Sequence, residues 1–236
     1  MKYIYCLLFI SFSFVAWATC PMGDSALKVK NYVQAQRFFE GCALINNDAQ
    51  SQYALAHLYK DGHISSHDSQ LQVLRYLRFA AENGYAPAQY ELALYMLEGL
   101  KTPEGQALIA RYSEQMRQIK IQKKRPLSQM DPMAWMLLAA ERAENKWFYT
   151  APPIYVPEAE QFFQKTRLTP EHLREVQAQA AQWKRNKLRH TARQILTEQE
   201  WQQFFPLPTG TPEAEALQKA LVALMKNRLK DYALYK

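Results

Sequence analysis

The residues that could do chemistry in this chain are few. His57, His63, His67 and Asp68 lie close together in sequence. Histidines four apart, like His63 and His67, bind zinc when a helix or tight loop aligns them. Here Ser65-Ser66 separate them in what reads as a turn between helices, so the expectation is a solvated turn and no metal. Ser25-Ala26-Leu27-Lys28 matches the Ser-x-x-Lys of penicillin-recognising enzymes. Its usual companions are missing: there is no Ser-x-Asn, and Lys101-Thr102 is followed by Pro103 where that chemistry wants glycine. The carboxylate pairs Glu158 with Glu160 and Glu171 with Glu175 are better placed to start helices, where the macrodipole favours negative charge. No phosphate loop and no nucleophile elbow is present. The expectation is therefore binding without turnover: not an enzyme, with no catalytic residues, no cofactor and no metal.

The cysteines point to a compartment. Residues 1–18 read as a signal peptide. Lys2 supplies the positive start, Ile4 to Val15 is uncharged and mostly apolar, and Ala16-Trp17-Ala18 offers a cleavage site after Ala18. An uncleaved membrane anchor is one alternative, though the apolar run is short for a span. A lipoprotein modified on Cys20 is another, with Trp17 and Thr19 a poor match to that signal. Losing Cys6 with the leader leaves Cys20 and Cys42, an even count suited to an oxidising compartment. The first hairpin turns near Asn31, with each of these cysteines eleven residues away along its arm. Equal arms bring their ends together, which is the proximity a disulfide requires. Separated thiols, or a lipid on Cys20, are the alternatives. The expected location is periplasmic or secreted.

The net charge is +7, and +6 without Lys2. The excess falls in two clusters: Arg117, Lys120, Lys123, Lys124 and Arg125; and Lys184, Arg185, Lys187, Arg189 and Arg193. In an exported chain these point to anionic lipid or cell-wall polymer, or to a solvated helix face, and not to nucleic acid.

The elements that would position any site are helices. Glycine is scarce at 7, and good helix formers dominate. Ala49-Gln50-Ser51-Gln52-Tyr53-Ala54-Leu55-Ala56 recurs as Ala86-Pro87-Ala88-Gln89-Tyr90-Glu91-Leu92-Ala93, offset by 37 residues, and the copies run on to Gly62 and Gly99. Phe39 and Ala43 match Tyr76 and Ala80 at the same offset, and Trp135 with Ala139 repeats the aromatic-x-x-x-Ala pair beyond an insertion. Residues four apart share a helix face. The aromatic fills a gap between helices, and the alanine lets a neighbour approach. Each unit is a helix hairpin that buries its apolar stripe only by stacking on the next.

This pattern, clearest in Tyr76-Leu77-Arg78-Phe79-Ala80-Ala81-Glu82-Asn83-Gly84-Tyr85-Ala86-Pro87-Ala88-Gln89-Tyr90, resembles the Sel-one-like repeat, a cousin of the tetratricopeptide repeat. The resemblance spans roughly residues 24–144. It departs from the family at Gly41, where a longer side chain is usual, and at Ala56 and Ala93, where glycine is usual. It implies an α/α solenoid that binds other proteins. Many members are exported by bacteria, and some are linked to β-lactam binding.

The expected fold is all-α: repeats over 19–156, with an unmatched insertion at 100–130, then a C-terminal helical cap over 157–236. Within these, helices are expected from Pro103 to Ile121, from Asp131-Pro132, from Thr169-Pro170 with Leu173, Val176, Ala180 and Trp183 inward, from a Thr197–Glu200 capping box, and from Thr211-Pro212 with Leu217, Leu221, Leu224 and Leu229 inward. Lys123 to Met130 reads as a basic loop. The aromatic and proline-rich stretch Trp147 to Tyr155 reads either as a recognition surface or as packing over the solenoid's end. The expected function is a periplasmic scaffold holding an unidentified envelope protein against residues 49–62 and 86–99. The alternatives are an envelope enzyme or accessory subunit acting on cell wall, and an anionic-polymer binder.

Overall fold

The computed structural model describes residues 20–123, 130–141, 155–206 and 211–234, with side chains throughout these except at 116–123 and 226–234. Residues 1–18, expected to be a signal peptide, the side chains of the Arg117–Arg125 cluster, Leu229, and Trp147 to Ile154 of the aromatic stretch lie outside the described residues. All regular structure among the described residues is helical: α1 (Pro21–Lys28), α2 (Tyr32–Ile45), α3 (Ala49–Lys60), α4 (Ser69–Glu82), α5 (Ala86–Gly99), α6 (Pro103–Lys123), α7 (Pro132–Ala139), α8 (Pro157–Lys165), α9 (Pro170–Ile195), α10 (Glu198–Phe204) and α11 (Pro212–Leu234). None of the described helices is long and apolar enough to cross a membrane.

The helix starts follow from short polar side chains that satisfy otherwise unpaired backbone N–H groups. The Asn31 side chain accepts from the Gln34 N–H at 3.2 Å, Asp48 from Ser51 at 2.8 Å, Asp68 from Leu71 at 3.1 Å, Asp131 from Met133 at 2.7 Å and Thr169 from His172 at 3.2 Å. Thr197 and Glu200 form the reciprocal capping box. The turns after α3 and α4 place Gly62 and Gly84 at φ of 72° and 86°, a region that L side chains disfavour.

Consecutive helices from α1 to α5 pack each against the next. α6 leans on α4 and α5, and α7 takes the next place against α5. The insertion is therefore a helix laid beside the succession without breaking it. It is seated by a close approach at Gly105, where an added Cβ would collide with the backbone of Gly99. The three aromatic-x-x-x-Ala pairs are core in every copy: Phe39 with Ala43, Tyr76 with Ala80, and Trp135 with Ala139 are all buried. Burying side chains of this size contributes roughly 1.5–3 kcal/mol each. The glutamines of the repeated octapeptide bond back to the end of the preceding helix. The Gln52 amide donates to the Ala43 carbonyl at 3.3 Å, and the Gln89 amide to the Ala81 carbonyl at 3.1 Å.

The C-terminal part divides between two cores. Val176, Ala180 and Trp183 of α9 join the main core, whereas Leu188, Ala192 and Leu196 form a second with Leu221 and Met225 of α11. Trp183 meets Trp135 edge-on, with centroids 5.9 Å apart, and donates its indole N–H to Glu82 at 2.9 Å. Two details differ from expectation. Gly99 ends α5 where a residue past the helix was expected, and Leu173, Leu217 and Leu224 are only partly buried.

Cys20 and Cys42 are disulfide-bonded, with Cα atoms 6.1 Å apart. The chain reverses between them at Lys30 and Asn31, as the equal-arm reading requires, and Lys30 takes a positive φ of 58° to do so.

Candidate functional site

The residues first considered for chemistry mostly serve structure. Asp68 caps α4 and pairs with Arg111 at 2.6 Å. His63 stacks on Tyr32 with centroids 3.8 Å apart, and His67 is exposed in the turn. No cluster of three potential metal ligands occurs among the described residues. Ser25 and Lys28 are exposed on α1. Glu158 and Glu160 sit in the first turn of α8, and Glu171 in that of α9. The α9 basic residues are spread round their helix. Lys184 pairs with Glu141, Lys187 reaches Asn83 at 3.4 Å, and Arg193 pairs with Glu198 at 2.6 Å while lying over Trp201. Burial pulls the Lys187 ammonium down to about 8.

The most organised polar group lies on α3 and α5. Tyr53, His57 and Lys60 follow one another along one face of α3 at helical spacing. All three converge on Glu91 of α5. His57 Nε2 is 2.8 Å from its carboxylate, Lys60 Nζ pairs with the other oxygen, and Tyr53 also bonds to it. Tyr53 meets Tyr85 edge-on at 5.2 Å and His57 at 4.6 Å. Burial opposes the Glu91 charge, but the hydrogen bonds from His57, Lys60 and Tyr53 outweigh it and hold the carboxyl at about 2. The bond to Glu91 in turn raises His57. Burial, and then the Glu91 charge, push the Tyr53 phenol up. Glu91 is thus a fixed anion at neutral pH, ringed by donors and flanked by half-buried tyrosines, Tyr95 among them.

The cluster falls within residues 49–62 and 86–99, where a partner is expected, but no motif in the sequence singles it out. The two repeat copies part company where it forms: Ala54, His57 and Lys60 stand where the second copy has Glu91, Leu94 and Leu97. A charge in one copy opposite complementary charges in the other was the available signal.

Removing the anion gives a pH-dependent effect. A carboxyl held below its ordinary 4.5 adds stability that is complete above that value and lost as pH falls towards about 2. His57, raised, adds stability that is present below its ordinary 6.5 and lost as pH rises through its elevated value. Glu91→Gln is expected to cost about 1 kcal/mol near pH 6, discounted because Lys60 and His57 are partly solvated. The deficit should vanish towards pH 2, as thermal melts across pH will show. A deficit unchanged down to pH 2 would mean that the loss is one of packing.

No protein-family model, curated protein or solved structure matches the chain.

Proposed function

We propose that this protein is an exported, Sel-one-like repeat adaptor of the bacterial envelope, a short α/α solenoid that holds a protein partner against the α3–α5 face. The observation that carries the reading is that face itself: a fixed carboxylate met by a lysine and a histidine, with several half-buried tyrosines, displayed on two helices of equivalent sequence position. Tyrosines are among the side chains that dominate protein interfaces, and those held by neighbours have little freedom left to lose on binding. The Cys20–Cys42 bridge supports an oxidising compartment.

Affinity capture of the mature protein from envelope extract tests this. The wild type should retain one defined partner at near-stoichiometric yield. Lys60→Ala and Tyr95→Ala should each reduce retention roughly tenfold without loss of helicity. Retention unchanged in both would contradict the reading. A second reading, an envelope enzyme acting on cell wall, is favoured by the His57–Glu91 pair. Hydrolysis of cell-wall fragments by purified protein, abolished in His57→Ala, would carry it. The anionic-polymer reading has less support, since Lys184, Lys187 and Arg193 already face groups on this chain.

A further inference from the structure

A cavity of about 340 Å³ lies where α4, α5, α6, α7 and α9 meet, within the size range of small-molecule sites. Leu74, Met96 and Ile109 make its apolar wall. Asp131 is already engaged: one carboxylate oxygen accepts from the Met133 N–H and the other pairs with His172 at 3.1 Å. The Ser113 hydroxyl donates to the Ile109 carbonyl at 2.8 Å. Arg78, Tyr112 and Gln179 bring donors to the same lining.

Arg78 is 6% exposed and donates Nε–H to Glu82 at 3.0 Å. Its two terminal nitrogens make no hydrogen bond to any described residue. Tyr112 is 6% exposed, and its buried hydroxyl finds no partner. Gln179 spends its amide oxygen on the Asp131 N–H at 2.7 Å, which fixes the orientation of that amide and leaves its NH2 group facing the cavity. Burial raises the Tyr112 phenol, so it stays protonated and donating. An unsatisfied buried donor such as the Tyr112 hydroxyl costs about 1–3 kcal/mol, and Arg78 and Gln179 line the same space.

We infer that this cavity binds a small organic carboxylate with an apolar body. The Arg78 fork takes the carboxylate, Tyr112 and Gln179 add hydrogen bonds, and Leu74, Met96 and Ile109 cover the body. A guanidinium fork matches carboxylate geometry with two parallel bonds. The apolar wall disfavours a fully hydrated anion such as phosphate. The site stands apart from the α3–α5 face and does not depend on the adaptor reading.

The test uses the mature full-length chain with hexanoate, benzoate, hexanol and inorganic phosphate as probes, read by saturation-transfer NMR and thermal shift. At least one of the two carboxylates should bind and raise Tm, hexanol and phosphate should bind at least tenfold more weakly, and Tyr112→Phe and Gln179→Ala should each weaken carboxylate binding roughly tenfold. Tyr112→Phe removes only a hydroxyl with no protein partner, so it should fold as the wild type and keep the test valid if Arg78→Lys does not fold. Binding of neither carboxylate at about 10 mM, hexanol or phosphate binding as tightly, or affinity unchanged in both variants would overturn the assignment.

Discussion

Trp135→Ala is expected to destabilise the protein by about 3–5 kcal/mol, the range for removing a large aromatic from a closed core. Trp135 is 0% exposed at the centre of α7, which packs against α5, α8 and α9. The Arg78 guanidinium lies 5.1 Å from its ring centre, and Trp183 meets it edge-on. Truncation leaves a void between helices that cannot easily collapse, and takes from Arg78 the π face it rests on. Trp135→Phe should cost far less, about 1–2 kcal/mol, since the indole N–H has no partner to lose. Urea unfolding of both variants checks the ranking. A loss under about 1 kcal/mol for Trp135→Ala would mean that Trp135 does not anchor α7 between α5, α8 and α9.

Loss of the Cys20–Cys42 bridge should cost roughly 3 kcal/mol. The two residues are 22 apart in sequence, so the bond closes a short loop and removes conformations from the unfolded chain more than it adds contacts to the folded one. Its local effect should be large, because α1 is short and packs mainly on α2. Cys20→Ser, Cys42→Ser and the double variant should lose the same amount, since either change breaks the one bond. Intact-mass analysis of the purified protein, alkylated before and after reduction, should show no alkylation at either site until reductant is added. Two sites alkylated without reductant, or a diacylglycerol mass on Cys20, would exclude the bridge.

The helices were legible because their signals are local. Asn31, Asp48, Asp68, Asp131, Thr169 and Thr197 each cap the helix they precede, and the aromatic-x-x-x-Ala pairs mark the buried face in three places. The disulfide was legible because a turn at Asn31 between arms of equal length is a local matter too. What escaped was long-range. Glu91 reads as an ordinary surface acid until α3 and α5 are placed side by side with His57 and Lys60 facing it. The polar seam in which Asn83 donates to Gln52 at 2.9 Å and meets Asn47 at 2.9 Å joins residues more than thirty positions apart, and no periodicity announces it. The α9 cluster looked like one basic patch, yet a helix turns its neighbours to different sides, and tertiary packing decides which carboxylates they find.

The central claim is that the α3–α5 face holds a partner protein. Photo-crosslinking in the living envelope tests it most directly, with the photoreactive residue at Lys60 or Tyr95 on the face and at Gln177 on the exposed side of α9 as control. One crosslinked species of the same mass from Lys60 and from Tyr95, absent from Gln177, is the predicted result. Crosslinks from Gln177 alone, or none from either face position, would contradict it.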